Sequence, residues 1–369
     1  MAPFRIWFDL LATVRRGWPL WSVALHWVWA FAGGRLAAQS QSDVTNASPQ
    51  AFLSCRPNGA LSNANMRKHK MITFRNILAS SVVGASLLMA PQGQAETPYD
   101  YLRSYFATDP HLPQTVAIVE VIQNDTRRRV EFTYTSFDNQ VVPARLEVPM
   151  SVEKPPVIIL MHGLTQSRNQ WWREDDGPYS FPSRHREALV QAGFAVLAID
   201  ARAHGDRMTA TDFENPATYL ENWYIDAVRK LVAETAIDAR GAIDAVEEIG
   251  AVDVDRIGLA GFSLGAFSGY LASAVDPRID ASLMMALPLV PVSEGQNASF
   301  TSPFAYAPGF EGKALGLIAA TEDSLYTREA VETLVAGLPI VPQVYWIESG
   351  HDLPADTAEI SVTFFEQSL

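Results

Sequence analysis

The sequence predicts an α/β chain: a mostly parallel central sheet with helices on both faces and an antiparallel N-terminal start. Three observations carry that expectation. Short, wholly apolar runs such as Pro156–Met161 and Phe194–Ile199 alternate with helical stretches, as in a parallel sheet covered on both faces. Ahead of them lie β-rich runs, one of which alternates apolar and polar residues in the manner of a half-buried strand. Between one apolar run and a helix of small residues stands the turn Gly261-Phe262-Ser263-Leu264-Gly265.

The elements follow in order. Glu96 to Thr108 reads as a short helix with Tyr, Leu and Phe on one face. Thr115–Ile122 and Arg129–Thr135 are β-rich, and Asp138-Asn139 supplies a turn into the alternating run Gln140–Val148. Pro156–Met161 is a buried strand, Ser183–Ala192 a helix and Phe194–Ile199 a second buried strand. A long helix is expected from Tyr219 to Ile249, then a strand at Arg256–Ala260 and a helix at Leu264–Val275. Ile279–Leu287, Ala314–Ile318 and Gln343–Ile347 complete the strands, with helices at Arg328–Leu338 and Ala355–Gln367. Pro288–Gly312 is the one long irregular stretch, and such loops usually carry function or stay unfolded.

Composition bounds the function. The chain has 369 residues, 48% of them hydrophobic, a formal charge of −13 and one cysteine. That apolar content builds a sizeable core. One cysteine excludes a disulfide framework and any multi-cysteine zinc site, and the acidity argues against a nucleic-acid surface. The average hides a seam. Residues 1–95 hold nine Lys/Arg and two acids, whereas residues 96–369 hold 19 and 39.

Residues 66–95 explain part of that seam. Arg67, Lys68, Lys70 and Arg75 make a basic start, Ile77–Ala90 is uncharged and apolar, and Gly93-Gln94-Ala95 places small residues before Glu96. That order is a secretory signal peptide, with Met66 or Met71 as its start and residues 1–65 as a non-structural upstream extension. The apolar run falls short of the roughly 20 residues a membrane span needs. Trp18–Gly34 is the rival anchor, but it is short and its tryptophans are scattered rather than set at two interfaces. The expected organisation is therefore 1–65 extension, 66–95 signal and 96–369 folded domain, periplasmic or secreted, with no stable membrane anchor.

Chemistry gathers at five places. Gly261–Gly265 sits between strand and helix, where a sharp turn lifts the Ser263 hydroxyl above the sheet and the helix start supplies amide donors. Met161-His162-Gly163-Leu164-Thr165 follows the first buried strand, and the Leu164 or Thr165 amide there pairs with that of Leu264 as an oxyanion hole. A serine nucleophile needs a base and an orienting acid. His351, in Glu348-Ser349-Gly350-His351-Asp352, lies downstream of the serine, as the chain order Ser, acid, His requires. His204 precedes the serine, and His111 and His185 read as surface residues. Asp323, a few residues beyond Ala314–Ile318, is the expected acid, with Glu322 one residue away as the alternative and Asp352 as a solvated loop charge. Trp171, Trp172 and Trp223, with Phe181, Phe304 and Tyr306, are candidates to line an apolar pocket.

With MHGLT at 161–165, DARAHGDR at 200–207, GFSLG at 261–265, TED at 321–323 and SGHD at 349–352 in this order, the chain resembles the α/β-hydrolase superfamily. Within it, the chain is similar to small bacterial esterases of the dienelactone-hydrolase-like group. Dienelactone hydrolases proper carry cysteine where Ser263 stands, and a dehalogenase would carry an acid there. The resemblance implies a serine carboxylesterase acting on small-molecule or polymeric esters, with no metal and no organic cofactor. Peptidases, thioesterases and polyester depolymerases share the scaffold, so fold alone does not choose among them. An inactive binding module would normally have lost one of Ser263, Asp323 and His351.

Overall fold

The computed structural model describes residues 97–108, 114–208, 216–221, 225–289 and 302–369. The proposed signal peptide, the upstream extension, Trp18–Gly34, His111 and Trp223 lie outside these residues. Among the described residues no helix is long and apolar enough to cross a membrane.

After helix α1 (Pro98–Ser104) come strands β1 (Val116–Gln123), β2 (Arg127–Thr135) and β3 (Val141–Pro149), paired antiparallel in turn. The chain continues through β4 (Pro156–Met161), α2 (Phe181–Gln191), β5 (Ala195–Ile199), α3 (Ala217–Glu221), α4 (Ile225–Ile249), β6 (Asp253–Phe262) and α5 (Leu264–Val275). It closes with β7 (Ile279–Met285), α6 (Pro303–Tyr306), β8 (Ala314–Ala320), α7 (Arg328–Gly337), β9 (Gln343–Ile347) and α8 (Ala358–Ser368). One nine-stranded sheet results, ordered β1-β2-β3-β5-β4-β6-β7-β8-β9. β3 meets β5 antiparallel, and every pairing from β5 through β9 is parallel.

Burial follows the sequence pattern. β2 alternates half-buried and buried positions, whereas every residue of β4 and β5 is buried. On α4 the buried set Val232, Ala236, Ala239, Ile243 and Val246 recurs at helical spacing. The long helix expected from Tyr219 to Ile249 is seen as α3 and α4, with residues 222–224 between them outside the described residues. Short 3₁₀ turns at Arg168–Trp172, Gly205–Arg207, Ala307–Phe310 and Ala355–Thr357 were not expected. Their three-residue repeat is too short to leave a periodic signature.

Two features of the sheet set the place for chemistry. The strand order reverses at β4, which lies between β5 and β6, and in open parallel sheets such a switch point opens a crevice beyond the strand C-termini. The helix after β6 is pressed onto the sheet by glycines. A Cβ on Gly261 would stand 2.3 Å from the Gly265 carbonyl oxygen, and one on Gly265 would stand 2.2 Å from that of Met161. Only hydrogen fits at either position.

Candidate active site

Ser263 caps the N-terminus of α5 with φ 54° and ψ −116°, a left-handed conformation that costs a non-glycine residue energy. Its own N–H is used by the Met285 carbonyl at 3.0 Å, and its carbonyl accepts the first helical bond from Phe267. Both backbone groups are thus fixed, with the serine just beyond the C-terminal end of β6.

Beyond β9, His351 turns back toward it. The Ser263 Oγ lies 2.8 Å from His351 Nε2, and His351 Nδ1 lies 2.7 Å from Asp323 Oδ2. A carboxylate only accepts, so Nδ1 donates to Asp323 and Nε2 accepts from the serine hydroxyl. The Asp323 carboxylate is fully buried, and its other oxygen accepts the Leu325 N–H at 2.8 Å. Glu322 is exposed, and its backbone N–H donates to the Ser349 carbonyl at 3.0 Å. That bond, with Thr321 N–H to the Ile347 carbonyl at 2.9 Å, ties the loop after β8 to the loop after β9. The structure therefore brings Ser263, His351 and Asp323 into one hydrogen-bonded chain and leaves Glu322 out of it.

Leu164 and Leu264 follow neighbouring strands. Met161 and Gly261 are register partners on β4 and β6, and the two leucines each follow three residues later. Among the described residues neither leucine amide donates a hydrogen bond, so both remain available as donors to a bound group. The Gly163 amide is not available. It donates to the buried Gln170 Oε1 at 2.9 Å.

Gln170 is a residue that sequence reasoning missed. It sits on the 3₁₀ turn Arg168–Trp172, which Asp200 anchors: one Asp200 oxygen accepts the Arg168 N–H at 2.7 Å and the other accepts the Asp206 N–H at 2.9 Å. Asp200, Gln170 and Gly163 thus form a continuous brace from the end of β5 to the turn after β4. The loop after β5 is itself pinned to α4, where the buried Asp238 accepts from Arg202 Nε and from Arg207 Nη1, each at 2.7 Å.

His162 shapes the same turn. Its Nδ1 donates to the Gly163 carbonyl at 2.8 Å and its Nε2 accepts the Ala201 N–H at 3.0 Å. Burial pushes its pKa down to about 4, against the raising effect of the Gly163 carbonyl. His204, its ring 5.2 Å from that of His162, is also buried and pushed down to about 4, and it bonds to the Arg202 carbonyl rather than to Ser263.

Several expectations need correction. His185 is fully buried, held between Ser361 and Thr357 of the C-terminal segment; flanking arginines on a helix do not fix the face of the residue between them. Trp171 is fully buried and lines no open pocket. Trp172 packs between Arg145 and Arg186 and donates from Nε1 to Glu147 at 2.6 Å. Glu147 pairs with Val196 near the start of β5, away from the strand ends that carry Ser263 and His351. Phe181 and Tyr306 are buried, and among the described members of this set Phe304 alone is exposed.

The model of the Alpha/beta hydrolase family matches residues 158–364. The fold is similar to that of acetyl xylan esterase 1 from Thermoanaerobacterium sp., with a TM-score of 0.57 at 16% identity over 73% of this chain and 93% of that one. It is similar to the acetyl xylan esterase from Paenibacillus sp. R4, with a TM-score of 0.53 at 16% identity over 76% and 97%. A cold-adapted esterase from an Arctic intertidal metagenomic library gives 0.50 at 20% identity over 68% and 97%. No curated protein sequence matches the chain. With more than half of its length matched by the family model, the chain belongs to the alpha/beta hydrolase family.

Proposed function

We propose that the chain is an exported serine hydrolase that cleaves carboxylic esters through an acyl-serine intermediate. The observation that carries this reading is the bond sequence Ser263 Oγ to His351 Nε2 and His351 Nδ1 to Asp323 Oδ2. The three similar structures are all esterases, which supports esters over other acyl substrates.

In this reading Ser263 Oγ attacks the ester carbonyl carbon while His351 Nε2 takes the hydroxyl proton. The Leu164 and Leu264 amides donate to the resulting oxyanion. As the tetrahedral centre collapses, the carbon–oxygen bond to the alcohol breaks and Nε2 returns the proton to the leaving oxygen. Water then attacks the acyl-serine by the same route, releasing the carboxylic acid and restoring the hydroxyl. Asp323 keeps Nδ1 protonated and supports the imidazolium that forms at each step. The chain's own groups supply every proton transfer, so no metal or organic cofactor enters the reading.

A fluorophosphonate probe should label Ser263, and short p-nitrophenyl esters should turn over while peptide anilides do not. Faster anilide cleavage would make the protein a peptidase. An unlabelled serine with no ester turnover would leave an inactive binding module. Export has its own test: exported protein should begin at Glu96, and a mature chain retaining Trp18–Gly34 would overturn the signal-peptide reading.

A further inference from the structure

The loop before α2 presents Tyr179 beside His351, and its backbone is held there against its preference. Tyr179 has φ 60°, uncommon for a bulky residue and a mark of local constraint. Two bonds impose it. Its N–H donates to Asp352 Oδ1 at 3.0 Å, and its carbonyl accepts from Gln170 Nε2 at 3.3 Å. The first tie is to the residue next to His351. The second is to the side chain that holds the Gly163 amide. Asp352 therefore fixes this loop rather than standing as a free charge.

The ring completes an aromatic group around the histidine. Tyr179 lies 6.4 Å from the His351 ring and 6.2 Å from Phe262, while Phe262 lies 5.2 Å from His351 and 4.9 Å from Phe181. Phe262 and Phe181 are each 3% exposed, whereas Tyr179 is 37% exposed. Tyr179 is thus the member of the group that offers an aromatic surface to a ligand.

Resting on the serine-esterase reading, we infer that Tyr179 forms a wall of the subsite for the alcohol portion of the ester. His351 Nε2 gives its proton to the leaving oxygen, so the alcohol lies on the histidine's side of the scissile carbon and the oxyanion donors lie across from it. An aromatic ring beside the histidine meets that portion and favours aryl or other flat apolar alcohols over methyl.

The test uses Tyr179→Asn, because asparagine tolerates positive φ, with Tyr179→Phe as the variant that keeps the ring. Phenyl acetate and methyl acetate vary the alcohol, and methyl acetate against methyl butyrate varies the acyl group. Tyr179→Asn should lower kcat/KM for phenyl acetate about tenfold relative to methyl acetate, with Tyr179→Phe near wild type. The acetate-to-butyrate ratio and the deacylation rate should not change, since the alcohol has left before deacylation begins. Equal losses on both alcohols, or a shift in the acyl ratio, would overturn the assignment and leave Tyr179 a structural residue. Failure of the underlying reading looks different: wild-type protein that cleaves neither acetate removes the subsite along with the esterase.

Discussion

His162 and His351 follow the C-terminal ends of two parallel strands, β4 and β9, and in each ring both nitrogens are engaged. Their partners differ. His162 lies between a backbone carbonyl and a backbone N–H, is fully buried, and has its pKa pushed down to about 4. His351 lies between a carboxylate and a hydroxyl, and its side chain keeps some exposure. A ring whose partners are both backbone is a strut: it holds one tautomer and has nowhere to pass a proton. A ring between a carboxylate and a hydroxyl is arranged as the base that the serine-esterase reading requires.

The contrast can be broken by degrees. Ser263→Ala removes the group that gives His351 its task and should lower kcat by about 10⁶ without unfolding the protein; residual ester turnover well above that level would place the nucleophile elsewhere. Asp323→Asn should lower kcat by roughly 10⁴ by favouring the wrong imidazole tautomer. Glu322→Gln should leave steady-state kinetics close to wild type, and a crippled Glu322→Gln enzyme would reverse the assignment of the acid. At the other ring, His162→Asn should cost about 10² in kcat by shifting the turn that carries the Leu164 amide. The midpoint of its kcat/KM–pH profile should stay in place, whereas a moved midpoint would make His162 a proton carrier. Gln170→Leu, which frees the Gly163 amide, should cost about tenfold on the same assay.

A separate expectation concerns stability against pH. Burial lowers the pKa of His162 and His204 to about 4 and of His185 to about 3. A histidine in the unfolded chain protonates near 6.5. Above that pH the three are neutral in both states and their contribution is fully present. As pH falls from about 6.5 toward 4 the unfolded chain binds up to three more protons, and stability drops by roughly 1.4 kcal/mol per histidine for each pH unit. Urea titrations at pH 7.5 and 5.5 measure this. His185→Gln, remote from Ser263, should flatten the slope, and an unchanged slope would contradict the buried neutral ring.

Much of this was legible in the sequence because it is periodic or local. Unbroken apolar runs at β4 and β5 mark buried strands, whereas the alternation of Gln140–Val148 holds for the first part of β3 and gives way to four buried residues at its end. The glycines flanking Ser263 and the order of Ser263, Asp323 and His351 along the chain are local signals. What stayed illegible depends on contacts between distant residues. Gln170 acts through a backbone amide seven residues away across a turn, and Asp352 through a partner 173 residues away. Trp171 and Trp172 look like pocket residues by type, but the 3₁₀ turn sends one into the core and the other between two arginines. Nothing in residue type separates these outcomes, because burial is decided by the fold around them.

On the serine-esterase reading, the left-handed backbone of Ser263 sets endurance against activity. Its φ of 54° and ψ of −116° destabilise the folded protein by about 1–3 kcal/mol, and the penalty falls on any residue with a Cβ. Glycine alone escapes it. Ser263→Gly and Ser263→Ala lack the same hydroxyl, yet the glycine variant should melt higher, the reverse of the usual order between these two residues. On the serine-esterase reading, the hydroxyl at this position is therefore held at a cost in stability that Ser263→Gly would recover.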